Sequence, residues 1–276
     1  MKINLRTIIF GIIIIVCVFA VNFAVYWQFF RNTENPQTAD NTISTSQETA
    51  QLEDNFKNIF ENRLDYQGYD VNTTGVLKID SSQDLIYTWV TKESVVENKY
   101  DLDLNIPRVN ISNTSVEKFN EKIKELYVDK ANDIILNATN NTIYTVEYMS
   151  YINTNILSLV IKSTLKEGNN PQRVIIQTYN YNLSTNEEIT LKQMLEIKGL
   201  QENTVKNTIV NKVQEANREA EDLKNLGYNV YVRDLSSEIY EIENTENFIL
   251  GANNYLYIIY PYGNSNYTDE MDVIVF

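Results

Sequence analysis

The chain has no histidine and a single cysteine among its 276 residues. Without histidine there is no Ser-His-Asp triad, no Cys-His pair, no usual zinc site and no general base of the commonest kind near neutral pH. One cysteine, Cys17, cannot close an intrachain disulfide or build a cysteine metal cluster. Lying in an apolar run, it reads as a small apolar filler. Four prolines and eight glycines are too few for a collagen-like or flexible low-complexity chain. Positive charge is scarce as well: 23 Lys and Arg stand against 37 Asp and Glu, a formal net charge of −14. Such a surface repels nucleic acid and anionic polymers and attracts cationic proteins. No nucleic-acid partner and no cofactor are therefore expected.

Long apolar runs are also rare, with one exception. Residues 8–30, opening at Ile8 and closing at Phe30, carry no charge, and their only polar side chains are Asn22 and Gln28. As a helix this stretch would be roughly 35 Å long, enough for a bilayer core. Lys2 and Arg6 precede it, so the leader is expected inside and the C-terminus outside. The expected address is the cell membrane, single-pass, with an extracytoplasmic C-terminal domain. The rival reading is a cleaved signal peptide ending near Val18, Phe19 and Ala20, although the apolar run continues past Ala20. Residues 31–51 are polar and read as a flexible spacer.

Beyond the spacer, periodicity alternates between helix and strand. Leu52, Phe56, Ile59, Phe60 and Leu64 recur at helical spacing. Short strands are expected at 76–79 and 85–90, then an extended segment over 93–105 that Pro107 ends. Thr114 and Glu117 have capping-box spacing ahead of a helix over 114–137, whose apolar stripe includes Val116, Phe119, Ile123, Ala131 and Ile134. Strands follow over 142–151, 155–165 and 173–183. In the last, Val174, Ile176 and Thr178 alternate with Gln177, Tyr179 and Tyr181. A short helix over 191–195 and a long one over 201–223 precede terminal strands at 248–250, 255–260 and 271–276. The expected fold class is α+β: antiparallel sheets packed with two long amphipathic helices, behind an N-terminal transmembrane helix. The expected subdivision is an N-terminal part over 52–91, a first α+β subdomain over 92–165 and a second over 166–276.

Two stretches carry a resemblance. One is the turn Asn182-Leu183-Ser184-Thr185-Asn186 leading into Ile189-Thr190-Leu191. The other joins Asn247-Phe248-Ile249-Leu250 to Leu256-Tyr257-Ile258-Ile259-Tyr260-Pro261-Tyr262. Both resemble the ectodomain family of RsiV, the lysozyme-sensing anti-sigma factor, and of the N-terminal region of the peptidoglycan deacetylase PdaC, over roughly residues 94–276. The resemblance implies a non-catalytic module that binds a cell-envelope ligand, either a cationic muramidase-like protein or peptidoglycan. Members of the family often carry a Gly-Gly-x-His loop where this chain has Glu167-Gly168-Asn169-Asn170-Pro171, so the histidine is missing.

Candidate ligand contacts are the turn residues Gly168, Asn169, Asn170 and Pro171, and four tyrosines taken as exposed: Tyr179, Tyr181, Tyr260 and Tyr262. Tyrosine offers a flat apolar face and a hydroxyl to a sugar or a protein. The competing reading packs these rings on a half-buried sheet and makes the turn only a turn. Two other functions compete with this one. A carboxylate-based glycan hydrolase needs two acidic groups flanking a bond, and no Asp/Glu pair stands out. Glu187 and Glu188 read as a solvated pair in a turn. A scaffold of the envelope, assembled through Asn22, is the third.

Overall fold

The computed structural model describes residues 41–68 and 71–276, and its compact unit is Gln47–Phe276. The first described element is helix α1 (Asn41–Asn55), over residues expected in part as spacer; no proline or glycine interrupts it. Phe56, directly after it, is fully buried against Tyr257, with ring centroids 5.9 Å apart. Leu64 opens a strand instead of closing a helix: β1 (Leu64–Gln67).

A long hairpin follows, β2 (Ile86–Val96) and β3 (Tyr100–Val109), where an extended segment ending at Pro107 was expected. Pro107 lies inside β3, opposite Thr88 and beside a register shift between Thr88 and Val90. That irregularity accommodates a residue with no N–H to give to the ladder. No strand forms at 76–79.

Helix α2 (Thr114–Ile123) begins one residue from the expected cap. Asn113 is the N-cap, its side chain accepting from the Ser115 N–H at 2.9 Å. A π-helical segment (Lys124–Asp129) joins α2 to α3 (Lys130–Asn137). The stripe Val116, Phe119, Ile123, Tyr127, Ala131 and Ile134 stays buried throughout.

Then come β4 (Thr142–Asn153), β5 (Ile156–Glu167), β6 (Arg173–Asn182) and the two-residue β7 (Glu187–Glu188). Helix α4 (Leu191–Lys198) starts at a reciprocal cap between Thr190 and Gln193. Helix α5 (Glu202–Asn225) buries Val205, Ile209, Val213 and Ala220. The chain ends with β8 (Phe248–Leu250), β9 (Leu256–Pro261) and β10 (Met271–Val275).

The fold class needs two corrections. First, the main sheet is mixed and not antiparallel. Its seven strands run β2-β3-β4-β5-β6-β7, and β1 shares an edge of β4 with β3. Both β3 and β1 pair with β4 in parallel. The cause is the α2–α3 crossover, which returns the chain to the end where β3 began. Second, the expected transmembrane span over 8–30 lies outside the described residues. Among the described residues no helix is long and apolar enough to cross a membrane. Helix α5, the longest of the described helices, carries Lys206, Lys212, Arg218 and Glu219 along its length. The described fold therefore contains no membrane-spanning helix, and it does not support the expected single-pass address.

The layers follow from alternation along the strands. Leu157, Leu159, Ile161, Tyr179 and Tyr181 face α2 and α3. Val160, Val174 and Ile176 face the three-stranded sheet β10-β9-β8 through Ile249, Tyr257 and Ile259. The far side of that small sheet, with Leu256, Ile258 and Tyr260, is covered by α4 and α5. Each fully buried aliphatic chain stabilises this four-layer stack by about 1.5–3 kcal/mol.

Polar groups fix how the two sheets cross. Ser158 Oγ donates to Asn180 Oδ1 at 2.6 Å, and Asn180 Nδ2 donates to the Phe248 carbonyl at 2.7 Å. The Leu250 N–H donates to Ser158 Oγ at 3.0 Å, and Asn153 Nδ2 donates to the Leu250 carbonyl at 3.1 Å. Replacing Ser158 with alanine strands the Leu250 N–H in a dry layer, at an expected cost of about 1–3 kcal/mol. Ser163, also buried on β5, has no partner for its hydroxyl among the described residues. Ser163→Ala should therefore be neutral or stabilising. Urea unfolding of the two variants checks both outcomes; equal midpoints would show that the cross-tie carries no stability.

Candidate functional site

The four candidate tyrosines are not exposed. Tyr179 is 3 % exposed, Tyr181 0 %, Tyr260 3 % and Tyr262 3 %. The correction has a simple cause: β6 and β9 have no solvent face, because helices or the other sheet cover both sides. Tyr179 stacks on Phe119 at 4.2 Å, and Tyr181 lies behind it at 6.1 Å. Tyr260 packs edge-on against Tyr240, and its hydroxyl lies 3.1 Å from the Thr245 hydroxyl.

Tyr262 belongs to a charged brace. Its hydroxyl donates to Asp272 Oδ2 at 2.5 Å, and Arg233 Nη2 donates to Asp272 Oδ1 at 2.7 Å. Arg233 Nη1 also donates to Glu270 Oε2 at 3.2 Å, and Tyr231 stacks on Tyr262 at 4.6 Å. Burial opposes the charge of Arg233, yet Asp272 holds its guanidinium above its ordinary pKa. The brace fastens the segment after α5 to β10.

The predicted turn lies elsewhere. Gly168 and Asn169 line a shallow depression of about 350 Å³ with Asn98, Thr139, Asn140 and Asn141; Asn170 and Pro171 are exposed beside it. Gly168 adopts φ +57, and a Cβ there would lie 2.6 Å from Asn140 Nδ2, so both backbone and space call for glycine. Of the eight candidates only Tyr179 lines the groove described below.

The groove has a volume of about 1030 Å³. One wall is α2, with Ser115, Lys118 and Lys122. The other is the segment before β8, with Glu243 and Glu246. Phe119, Tyr179 and Phe248 supply apolar surface, and Glu188 and Lys192 stand at one end. Partial burial raises the Glu188 pKa, and Lys122 opposes the rise.

The groove runs along a gap in the edge of β6. The Val174 N–H donates to the Thr268 carbonyl at 3.1 Å. Asn264 then acts as a substitute strand: its Oδ1 accepts from the Ile176 N–H at 3.0 Å, and its Nδ2 donates to the Ile176 carbonyl at 2.9 Å. Gly263 permits this approach, since a Cβ would sit 1.9 Å from the Val174 carbonyl oxygen. Further along, the Ile189 N–H donates to the Asn180 carbonyl at 2.9 Å before Thr190 turns the chain into α4. Outward-directed positions on an antiparallel strand recur every second residue. Between Ile176 and Asn180 that position is Thr178, whose side chain is held on the Glu246 side by bonds to the Glu246 carbonyl (3.1 Å) and the Phe248 N–H (3.2 Å).

The sequence reading missed this groove. Lys118 and Lys122 were visible at helical spacing on the polar side of the stripe, but nothing in the sequence brings them opposite Glu243 and Glu246. Among the described residues no group of three or more His, Cys, Asp or Glu is placed to hold a metal ion.

Comparison with known proteins does not show a family for this chain. No family profile and no curated protein matches the chain. Among solved structures, it is similar to a DUF3298 family protein from Pseudomonas aeruginosa, 9 % identical with a TM-score of 0.39, covering 66 % of this chain and 83 % of that one. It is also similar to a DUF3298 family member from Bacteroides fragilis, 13 % identical with a TM-score of 0.35, covering 64 % and 81 % respectively. At such identities the family suggested by the sequence stays a resemblance.

Buried phenols give the site's surroundings a measurable alkaline signature. Burial, first of all, raises the pKa of Tyr144, Tyr179, Tyr260 and Tyr262 above the ordinary 10.0. An unfolded chain would ionise them near 10.0, so their contribution to stability is complete below that pH and is lost as pH rises through the folded values. Tyrosinate absorbance should therefore lag and then rise together with loss of far-ultraviolet circular dichroism. Full ionisation with the fold intact would contradict their burial.

Proposed function

We propose that the chain is a non-catalytic binding module whose ligand is a protein held in the groove between α2 and the segment before β8. The observation that carries this is the groove itself: an opening at a sheet edge with lysines on one wall and glutamates on the other. Clefts with apolar surface and a few convergent polar groups are where ligands bind. The net charge of −14 favours a cationic partner by long-range attraction. The sequence resemblance points the same way, towards a muramidase-like protein, with peptidoglycan as the second ligand it implies. The acidic wall, Glu243 and Glu246, is the surface such a partner would meet.

The test uses the full-length chain with hen lysozyme and with purified sacculi as probes. Lysozyme is expected to bind, and binding should weaken with salt. Glu243→Lys with Glu246→Lys should weaken it about tenfold. Binding to sacculi alone would transfer the role to peptidoglycan. No binding to either probe, or indifference to the acidic-wall variants, would overturn the proposal.

A further inference from the structure

We propose that the groove recognises an extended peptide through one β-bridge to Thr178, with an acidic-basic-acidic order of side chains. The proposal rests on the groove being the binding surface and adds how it reads its ligand. Three observations combine. The edge of β6 is occupied on both sides of Thr178: Asn264 bonds the N–H and carbonyl of Ile176, and the Ile189 N–H bonds the Asn180 carbonyl. By the two-residue alternation of the strand, the Thr178 N–H and carbonyl point outward into the groove, and neither has a partner among the described residues. An open sheet edge is a template for an incoming strand, and here the template is centred on Thr178.

The walls then set the side chains. A residue paired opposite Thr178 places its side chain on the same face as that of Thr178. This is the face of the Glu246 carbonyl and the Phe248 N–H, to which the Thr178 hydroxyl is bonded. The paired residue therefore points at the wall of Glu243 and Glu246, which calls for Lys or Arg. Its two neighbours point to the opposite face, where Tyr179 packs on Phe119 beneath α2 and where Lys118 and Lys122 project. Those positions call for Asp or Glu. The bridge holds two hydrogen bonds: the Thr178 N–H donates to the peptide carbonyl, and the peptide N–H donates to the Thr178 carbonyl. Past the bridge the peptide must leave the sheet edge, because Asn264 and Ile189 block it on either side.

The probe is a capped Glu-Lys-Glu peptide, compared with the charge-inverted Lys-Glu-Lys and with Glu-Lys-Glu methylated on the central backbone nitrogen. Binding is followed by NMR on the isotope-labelled full-length chain, together with hydrogen exchange at the Thr178 amide. Glu-Lys-Glu is expected to bind at least about tenfold more tightly than either control and to slow exchange at Thr178. Equal affinity of the three peptides, absence of binding, or unchanged exchange at Thr178 would each overturn the β-bridge. These failures are separable from failure of the groove as a binding surface. Lysozyme binding that responds to the acidic-wall variants while Thr178 stays unprotected would keep the groove and remove the bridge.

Discussion

The crossing of the two sheets depends on a short buried ladder of amide and hydroxyl groups: Asn153, Ser158 and Asn180 against the backbone of β8. An apolar sheet face accepts many crossing positions at nearly equal free energy, because the hydrophobic effect has no direction. Hydrogen bonds in a dry layer do have direction, and leaving one of these groups unpaired costs about 1–3 kcal/mol. Ser158 and Asn180 stand directly opposite each other on β5 and β6. They bond each other and hold successive parts of β8, so the small sheet has one position and not a family of them.

The position of the groove follows from that crossing. Once β8 lies over β5 and β6, the preceding residues are carried past the edge of β6, and Thr178 pins them through the Glu246 carbonyl. This brings Glu243 and Glu246 opposite α2. On the same edge, the loop after β9 reaches back so that Asn264 closes Ile176. The opening at Thr178 is what remains between two closures, one built by a side-chain amide and one by the start of α4. Protein edges are commonly blunted against unwanted pairing. Here the blunting stops one residue short, and that residue faces the charged walls.

The tyrosines show how a sound chemical argument failed on placement. Alternation along β6 is visible in the sequence, and Tyr179 and Tyr181 do share a face. Which faces are covered is not visible, since α2 and the small sheet arrive from distant parts of the chain. The same applies to the parallel pairing of β3 with β4: each strand and the helix between them have legible periods, but the period carries no strand direction. The turn at Gly168 was legible as a turn and is one. Its glycine answers to backbone conformation and to the neighbouring Asn140, and the turn lies apart from the groove.

Residue periodicity, capping groups and turn formers are local properties, and they determined which stretches of this chain became helices and strands, including α2, β4 to β6, α5 and the terminal strands. The absence of histidine and the lone cysteine likewise restricted the available chemistry before any fold was known. Tertiary structure alone decided the direction of β3, the burial of the four tyrosines, and the meeting of Lys118 and Lys122 with Glu243 and Glu246 across an open sheet edge. The physical reason is that each of these depends on long-range contacts between segments tens of residues apart. Such contacts are selected by the directional bonds of the buried ladder and by mutual coverage of apolar faces, neither of which leaves a mark in a local window of sequence.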